Sequence, residues 1–221
     1  MNKETENKII EYLENEKAKL KALLPEYLQN DFEDNSFISG GAIYSLYHDK
    51  PINDIDFFIE SLELKIALES YFKRCDGLVT LTKGSQKVEI GTYKGNKLVI
   101  TDNAITIGKY QIVLRDYGEA NDVVNRFDFM HNMYYVKKRK FYTVAELYYL
   151  ELDELRFNDN RARDIVGTIM RIPKFVERGF SINQNELAKM LLALNKAQFS
   201  KEELDILEGR TSNIQFSSGG I

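Results

Sequence analysis

The sequence predicts an α+β protein, a mixed sheet with flanking helices followed by a helical C-terminal region. Three observations carry this. Apolar residues recur at helical spacing in the first 24 residues and again over 62–74. From there to residue 114 the pattern changes to short runs broken by Gly, Asn and Asp, as strands joined by turns require. From Thr143 onward helical spacing returns.

Taken in order, Ile9, Ile10, Leu13, Leu20, Leu23 and Leu24 form one face of a helix over 4–23, with Glu and Lys on the other. Pro25 opens a short second helix, because its fixed φ suits a first turn. After the polar loop 31–35, Phe37-Ile-Ser-Gly-Gly-Ala-Ile-Tyr-Ser-Leu-Tyr47 reads as strand end, glycine turn and short helix. Pro51 and Asn53 punctuate a loop into a second strand at 55–59. Leu64, Ala67, Leu68, Tyr71 and Phe72 mark the helix over 62–74. Short strands follow at 78–82, 87–90, 97–100, 104–107 and 110–114, a mostly antiparallel arrangement built on the first two. Asp102 falls in a turn between them. A short helix over 118–126 leads to a strand at 134–136 and a basic hairpin turn, Lys137-Lys-Arg-Lys140. That turn reads either as a solvated loop or as a phosphate-backbone contact. Helices are expected through Val144–Leu152, over 159–178 with Pro173 as a kink, over 183–197, and over 201–208 with Ser200 as N-cap. The domains read as 1–142 for the sheet, 143–216 for the helical region and 217–221 as a flexible tail.

Composition narrows the function. A net charge of −4 argues against a general nucleic-acid sponge. The single cysteine, Cys75, excludes an internal disulfide and a Cys-based zinc cluster, and two histidines are too few for a His-rich metal site. With no signal peptide or 18-residue apolar run, a cytoplasmic protein with no membrane partner is expected.

The chemistry concentrates around the glycine turn. Gly40-Gly41 lets the backbone bend sharply and approach a ligand, and N–H groups at the following helix start face an anion. In Asp54-Ile55-Asp56 the two carboxylates share one strand face, because side chains alternate. They repel unless a cation sits between them. Such hard oxygen ligands suit Mg²⁺ carrying phosphates.

This order, Gly-Gly, short helix, then Asp-x-Asp-Phe, resembles the polymerase-β nucleotidyltransferase superfamily. It is most similar to the head and neck of tRNA CCA-adding enzymes and bacterial poly(A) polymerases. The resemblance covers roughly residues 35–182. It implies a nucleotidyltransferase fold in which Ser39, Gly40 and Gly41 hold a triphosphate while Asp54 and Asp56 hold a two-metal Mg²⁺ site, with Mn²⁺ as the substitute ion. A second likeness lies in Arg126-Phe-Asp-Phe-Met-His-Asn-Met133, similar to the family's Arg-Arg-Asp-Phe-Thr-x-Asn-Ala. It implies that Arg126 and Asn132 contact the nucleotide. A third metal carboxylate would be expected near Tyr110–Leu114, where this chain offers Gln111, so Asp128 is the candidate third ligand and Glu89 the reserve. Lys174-Phe175 and Gly179-Phe-Ser-Ile182 resemble the family's neck, which makes Arg163, Arg171 and Lys174 candidates for contacting the base.

The departures are specific. The family's Gly-Gly-x-x-Arg-Asp reads Gly40-Gly-Ala-Ile-Tyr44-Ser45, and the long body and tail domains that grip a tRNA are not expected in these 221 residues. Three readings therefore stand. One is a metal-dependent enzyme moving NMP from an NTP to an acceptor hydroxyl, on an RNA 3′ end, a protein or a small molecule. The others are a catalytically weak nucleotide-binding module, and a partner-binding or toxin-neutralising protein that reuses the fold.

Overall fold

A computed structural model describes residues 1–83, 86–201, 203–205 and 207–208. Two compact units emerge: residues 1–127 with 131–151, and residues 128–130 with the chain from 152. The sequence pattern divides the chain at 142; in the structure residues 131–151 belong to the first unit. The expected tail, 217–221, lies outside the described residues.

Among the described residues the first unit contains one nine-stranded sheet. Its strands are β1 (Ser36–Ser39), β2 (Ile55–Ile59), β3 (Val79–Lys83), β4 (Gln86–Tyr93), β5 (Asn96–Ile100), β6 (Ala104–Ile107), β7 (Tyr110–Val113), β8 (Tyr134–Lys137) and β9 (Lys140–Thr143). They lie in the order β3-β4-β5-β6-β7-β2-β1-β8-β9. The β2–β7 pair is parallel and the others are antiparallel, so the sheet is mixed as expected. The helices are α1 (Lys3–Leu23), α2 (Glu26–Asp34), α3 (Gly41–Tyr47), α4 (Leu62–Phe72) and α5 (Ala120–Val124). Asn2 caps α1 by accepting from Thr5 N at 2.8 Å, and Ser61 caps α4 by accepting from Leu64 N at 3.1 Å.

Lateral register sorts the sheet into two faces. Ile38, Phe57, Ile112, Ile105 and Ile100 align across five strands and are buried. Helix α2 lays Phe32 against Phe57 on this side, ring centroids 5.8 Å apart. Each buried phenylalanine contributes about 1.5–3 kcal/mol. Tyr93 OH donates to Leu23 O at 2.7 Å, tying β4 to the end of α1.

Two buried charges peg α1 in place. Lys17 Nζ donates to Glu33 O at 2.9 Å and Ser36 O at 3.0 Å, which joins α1 to α2 and the start of β1. Burial lowers the Lys17 pKa, and the Glu33 charge opposes that shift. Glu16 accepts from Lys19 Nζ at 2.8 Å and Tyr110 OH at 2.9 Å, and pairs with Lys109 at 2.7 Å. Burial pushes the Glu16 pKa up, but the bonds from Lys109, Lys19 and Tyr110 outweigh it and hold the carboxyl below its usual value.

The basic turn is answered from within the unit. Lys137 pairs with Glu60 at 2.7 Å, Lys138 pairs with Asp34 at 3.3 Å, and the Arg139 backbone N–H donates to Glu14 at 2.9 Å. Lys138 and Arg139 take φ of 48° and 60°, as a tight two-residue hairpin requires.

The second unit holds α6 (Ile165–Glu177) and α7 (Gln184–Ala197). Helix α6 begins at Ile165 rather than 159. Asn158 Oδ1 accepts from Asn160 N at 3.0 Å and its carbonyl accepts from Arg161 N at 2.9 Å, so the chain turns there instead. Asp164, at φ 54°, is left-handed and resets the backbone before the helix. Asn183 caps α7, accepting from Glu186 N at 3.0 Å. Ser200 and Glu203 cap each other's backbone N–H groups, at 3.2 and 2.8 Å. Likewise Leu147–Glu151 of the first unit is a short 3-10 helix, not a longer α-helix.

Candidate functional site

The glycine turn and the aspartate pair meet at one end of β1 and β2. Ser39 is the lateral partner of Asp56, and Gln111 is the partner of Asp56 on its other side. Continuing along the row come Thr106, Val99 and Ile90. These residues share the face opposite Phe57, and those from Asp56 to Ile90 are half-exposed. Asp54, just before β2, is exposed.

Gly40 is required twice over. Its φ is +96°, and a Cβ added there would lie 3.0 Å from Asp56 Oδ2. The backbone of the turn therefore rests against the Asp56 carboxylate. At Gly41 a Cβ would meet nothing within 4 Å, so this side of the turn is open. Ser39 is fully buried and its hydroxyl donates to Tyr134 O at 2.6 Å, which commits its proton to β8. The turn can thus offer a ligand backbone N–H groups rather than the Ser39 proton.

Arg126 is half-buried two residues beyond α5, its N–H donating to Val123 O at 3.2 Å. Asn132 is half-buried, and its Oδ1 is buried without a hydrogen-bond partner among the described residues. An orphaned acceptor of this kind costs free energy until a donor arrives.

The two histidines, weighed in the sequence only as too few for a His-rich metal site, converge on Tyr44. His48 lies 4.3 Å and His131 5.5 Å from the Tyr44 ring, centroid to centroid. Lys50 Nζ sits over that ring at 4.9 Å. His48 Nε2 is 2.6 Å from Leu150 O. Tyr44 departs from the arginine of the Gly-Gly-x-x-Arg-Asp pattern that the turn resembles, and that departure was the available signal.

Asp128 belongs to the second unit, where it is densely partnered. Arg171 Nε donates to Asp128 Oδ2 at 2.5 Å and Arg171 Nη2 to Oδ1 at 3.0 Å, a bidentate grip. Thr168 Oγ1 donates to Oδ1 at 2.9 Å, and Arg161 lies at 3.3 Å. Burial lowers the Arg171 pKa, but the carboxylates of Asp128 and Asp164 outweigh it and raise the value. Phe129 beside Asp128 is buried, bridges Phe157 and meets Phe175 edge-on at 5.2 Å. Arg163 and Lys174 are exposed.

The reserve ligand Glu89 does not join the aspartate pair. Its lateral row runs through Ile100, Ile105 and Ile112 to Phe57, which puts it on the opposite face from Asp56. Among the described residues no group of three or more His, Cys, Asp or Glu is placed to hold a metal ion. Asp54 and Asp56 still fit Mg²⁺, which keeps waters and is commonly held by one or two carboxylates plus substrate phosphates. Among the described residues no helix is long and apolar enough to cross a membrane.

The sheet, its flanking helices and the strand-end aspartates define an α+β protein with a glycine-turn acidic site. Residues 14–155, which include all nine strands, match the model of the Gabija anti-defense 2 family, and the chain belongs to that family. The protein Gabija anti-defense 2 of Bacillus phage SPbetaL7 is 29% identical over 182 residues, covering 80% of this chain and 42% of the relative. The chain thus spans less than half the length of the curated relative it matches. Among solved structures it is similar to the Bacillus stearothermophilus CCA-adding enzyme in complex with CTP, with a TM-score of 0.48 and 16% identity, over 77% of this chain and 42% of that one. It is also similar to the Thermotoga maritima CCA-adding enzyme complexed with tRNA, with a TM-score of 0.47 and 17% identity, over 81% and 45% of the two chains.

Proposed function

We propose that this chain counters the Gabija defence by binding a component of that system, on a sheet scaffold of nucleotidyltransferase type. The observation that carries this reading is the family match over residues 14–155, which takes in the whole sheet. Affinity-tagged chain co-expressed with the Gabija proteins should retain one of them through purification. Recovery of the chain alone, at Gabija levels that restrict infection, would remove this reading.

The contact of Gly40 with Asp56 favours a second reading for the same scaffold, a site for a nucleoside triphosphate and Mg²⁺. Asp54 and Asp56 would hold the cation, the Gly40–Gly41 backbone the phosphates, and Arg126 and Asn132 the sugar or base. Transfer of NMP to an RNA, protein or small-molecule hydroxyl is the enzymatic form of this reading. Asp54→Ala with Asp56→Ala separates the two. Pure binding to a Gabija component survives the double change, whereas nucleotide-dependent counter-defence is lost.

A further inference from the structure

We infer that the chain pairs with a second copy of itself edge to edge, β3 against the β3 of the other copy, in antiparallel register about Leu81. The inference stands apart from both the Gabija and the nucleotide readings. β3 (Val79–Lys83) is the outermost strand of the sheet and pairs with β4 on one side. The outer side of such a strand carries a row of backbone N–H and C=O groups, and another extended strand is what satisfies such a row.

Proteins keep sheet edges from pairing with charge, proline or a covering element. The opposite edge, β9, has such protection. It opens on Lys140 directly after the basic turn, and α1 lies against it. Its exposed aromatic side chain, Tyr142, is stacked on Tyr135 with ring centroids 4.7 Å apart. The run Val79-Thr-Leu-Thr82 of β3 has neither charge nor proline. Val79 is 60% exposed and Leu81 51%, and Thr80 and Thr82 are exposed as well.

The strand's own symmetry names the occupant. Side chains alternate, so Val79 and Leu81 share one face with Ile90 and Val88 of β4, while Thr80 and Thr82 share the other. A two-fold axis through Leu81 gives antiparallel pairing over the whole strand. It sets Leu81 opposite Leu81 of the second copy, with Cβ atoms about 5 Å apart. Thr80 then lies opposite Thr82 of the second copy, and Thr82 opposite its Thr80. Apolar side chains meet on one face and hydroxyls on the other, and no like charges confront each other in these rows. Val88 and Ile90, both half-buried, flank the aliphatic strip so formed. The contact is smaller than the roughly 1,200 Å² of a standard interface, so the dimer is reversible. Charge at β9 stops the assembly at two copies.

The test is sedimentation velocity on the purified chain alone, at loading concentrations from about 1 to about 200 µM. Wild type should move from monomer toward dimer across this range. Leu81→Lys and Leu81→Glu should each stay monomeric at the top concentration, with the circular dichroism of wild type. An equimolar mixture of the two should dimerise again, because opposite charges then face each other at the two-fold axis. A wild type that stays monomeric, a dimer that persists in either variant, a mixture that stays monomeric, or species larger than a dimer would each overturn the inference. Where a charge at position 81 disturbs folding, Val79→Lys should abolish the dimer instead, and a dimer that survives this change would equally overturn it.

Discussion

Asp56 and Asp128 each directly precede a phenylalanine in the sequence, yet the two carboxylates live in different chemistry. Asp56 lies near the start of β2 on the half-open face of the sheet, and a Cβ at Gly40 would lie 3.0 Å from its Oδ2. Asp128 is gripped by Arg171 at 2.5 and 3.0 Å and by Thr168 at 2.9 Å. The first sits under a glycine turn with no room for a side chain, the second in a cluster with two arginines. A carboxylate among aromatic residues thus signals burial, and only its partners say whether the charge serves stability or a ligand.

The contrast predicts opposite responses to removing charge. Asp128→Asn leaves the Arg171 and Arg161 guanidiniums with Asp164 alone as their anion, and should cost about 2–4 kcal/mol, less than the full penalty for a buried pair because Asp164 remains and Arg171 is partly exposed. Urea denaturation measures it, and a loss below about 0.5 kcal/mol would dissolve the contrast.

At the other site the neighbouring glycines sharpen it. Gly40→Ala meets both a positive φ and Asp56 Oδ2, and should cost about 1–2 kcal/mol. Gly41→Ala has open space around it and should stay within about 0.5 kcal/mol of wild type. Equal melting temperatures for the two variants would show that the turn does not press on Asp56.

Glu16 tests the same idea through pH. Its folded pKa lies below the 4.5 of an unperturbed glutamate, so its network stabilises the fold above that pH. The stabilisation fades as pH falls from about 4.5 through the folded value. Glu16→Gln should therefore flatten the acid limb of the stability curve measured between pH 6 and 3, by an amount smaller than the Asp128 effect. An acid limb unchanged from wild type would mean that Glu16 does not contribute to it. Asp54→Asn should have the smallest effect, within about 0.5 kcal/mol, because the residue is exposed and shares a strand face with another carboxylate. A large loss of stability there would mean that Asp54 is paired as Asp128 is.

Much of this was legible in the residues. Period and punctuation placed the first two helices, the glycine turn and the run of strands, because each is set by local spacing. Gln111 was visible as a missing acid, and the β2–β7 register sets it beside Asp56. What escaped depends on contacts far along the chain. Asp128–Met130 joins the second unit through Phe157, Thr168 and Arg171, which no local pattern announces. The late start of α6 follows from the Asn158 turn and the left-handed Asp164, which override an apolar periodicity that runs earlier. The meeting of His48 and His131 at Tyr44 needs residues from α3 and from the approach to β8.

The most direct test of the central claim is the plating efficiency of a Gabija-sensitive phage on Gabija-bearing cells that express this chain. The account predicts that wild type restores plaques by at least about tenfold over cells carrying an empty vector. Expression of soluble chain with no rise in plaques would contradict it.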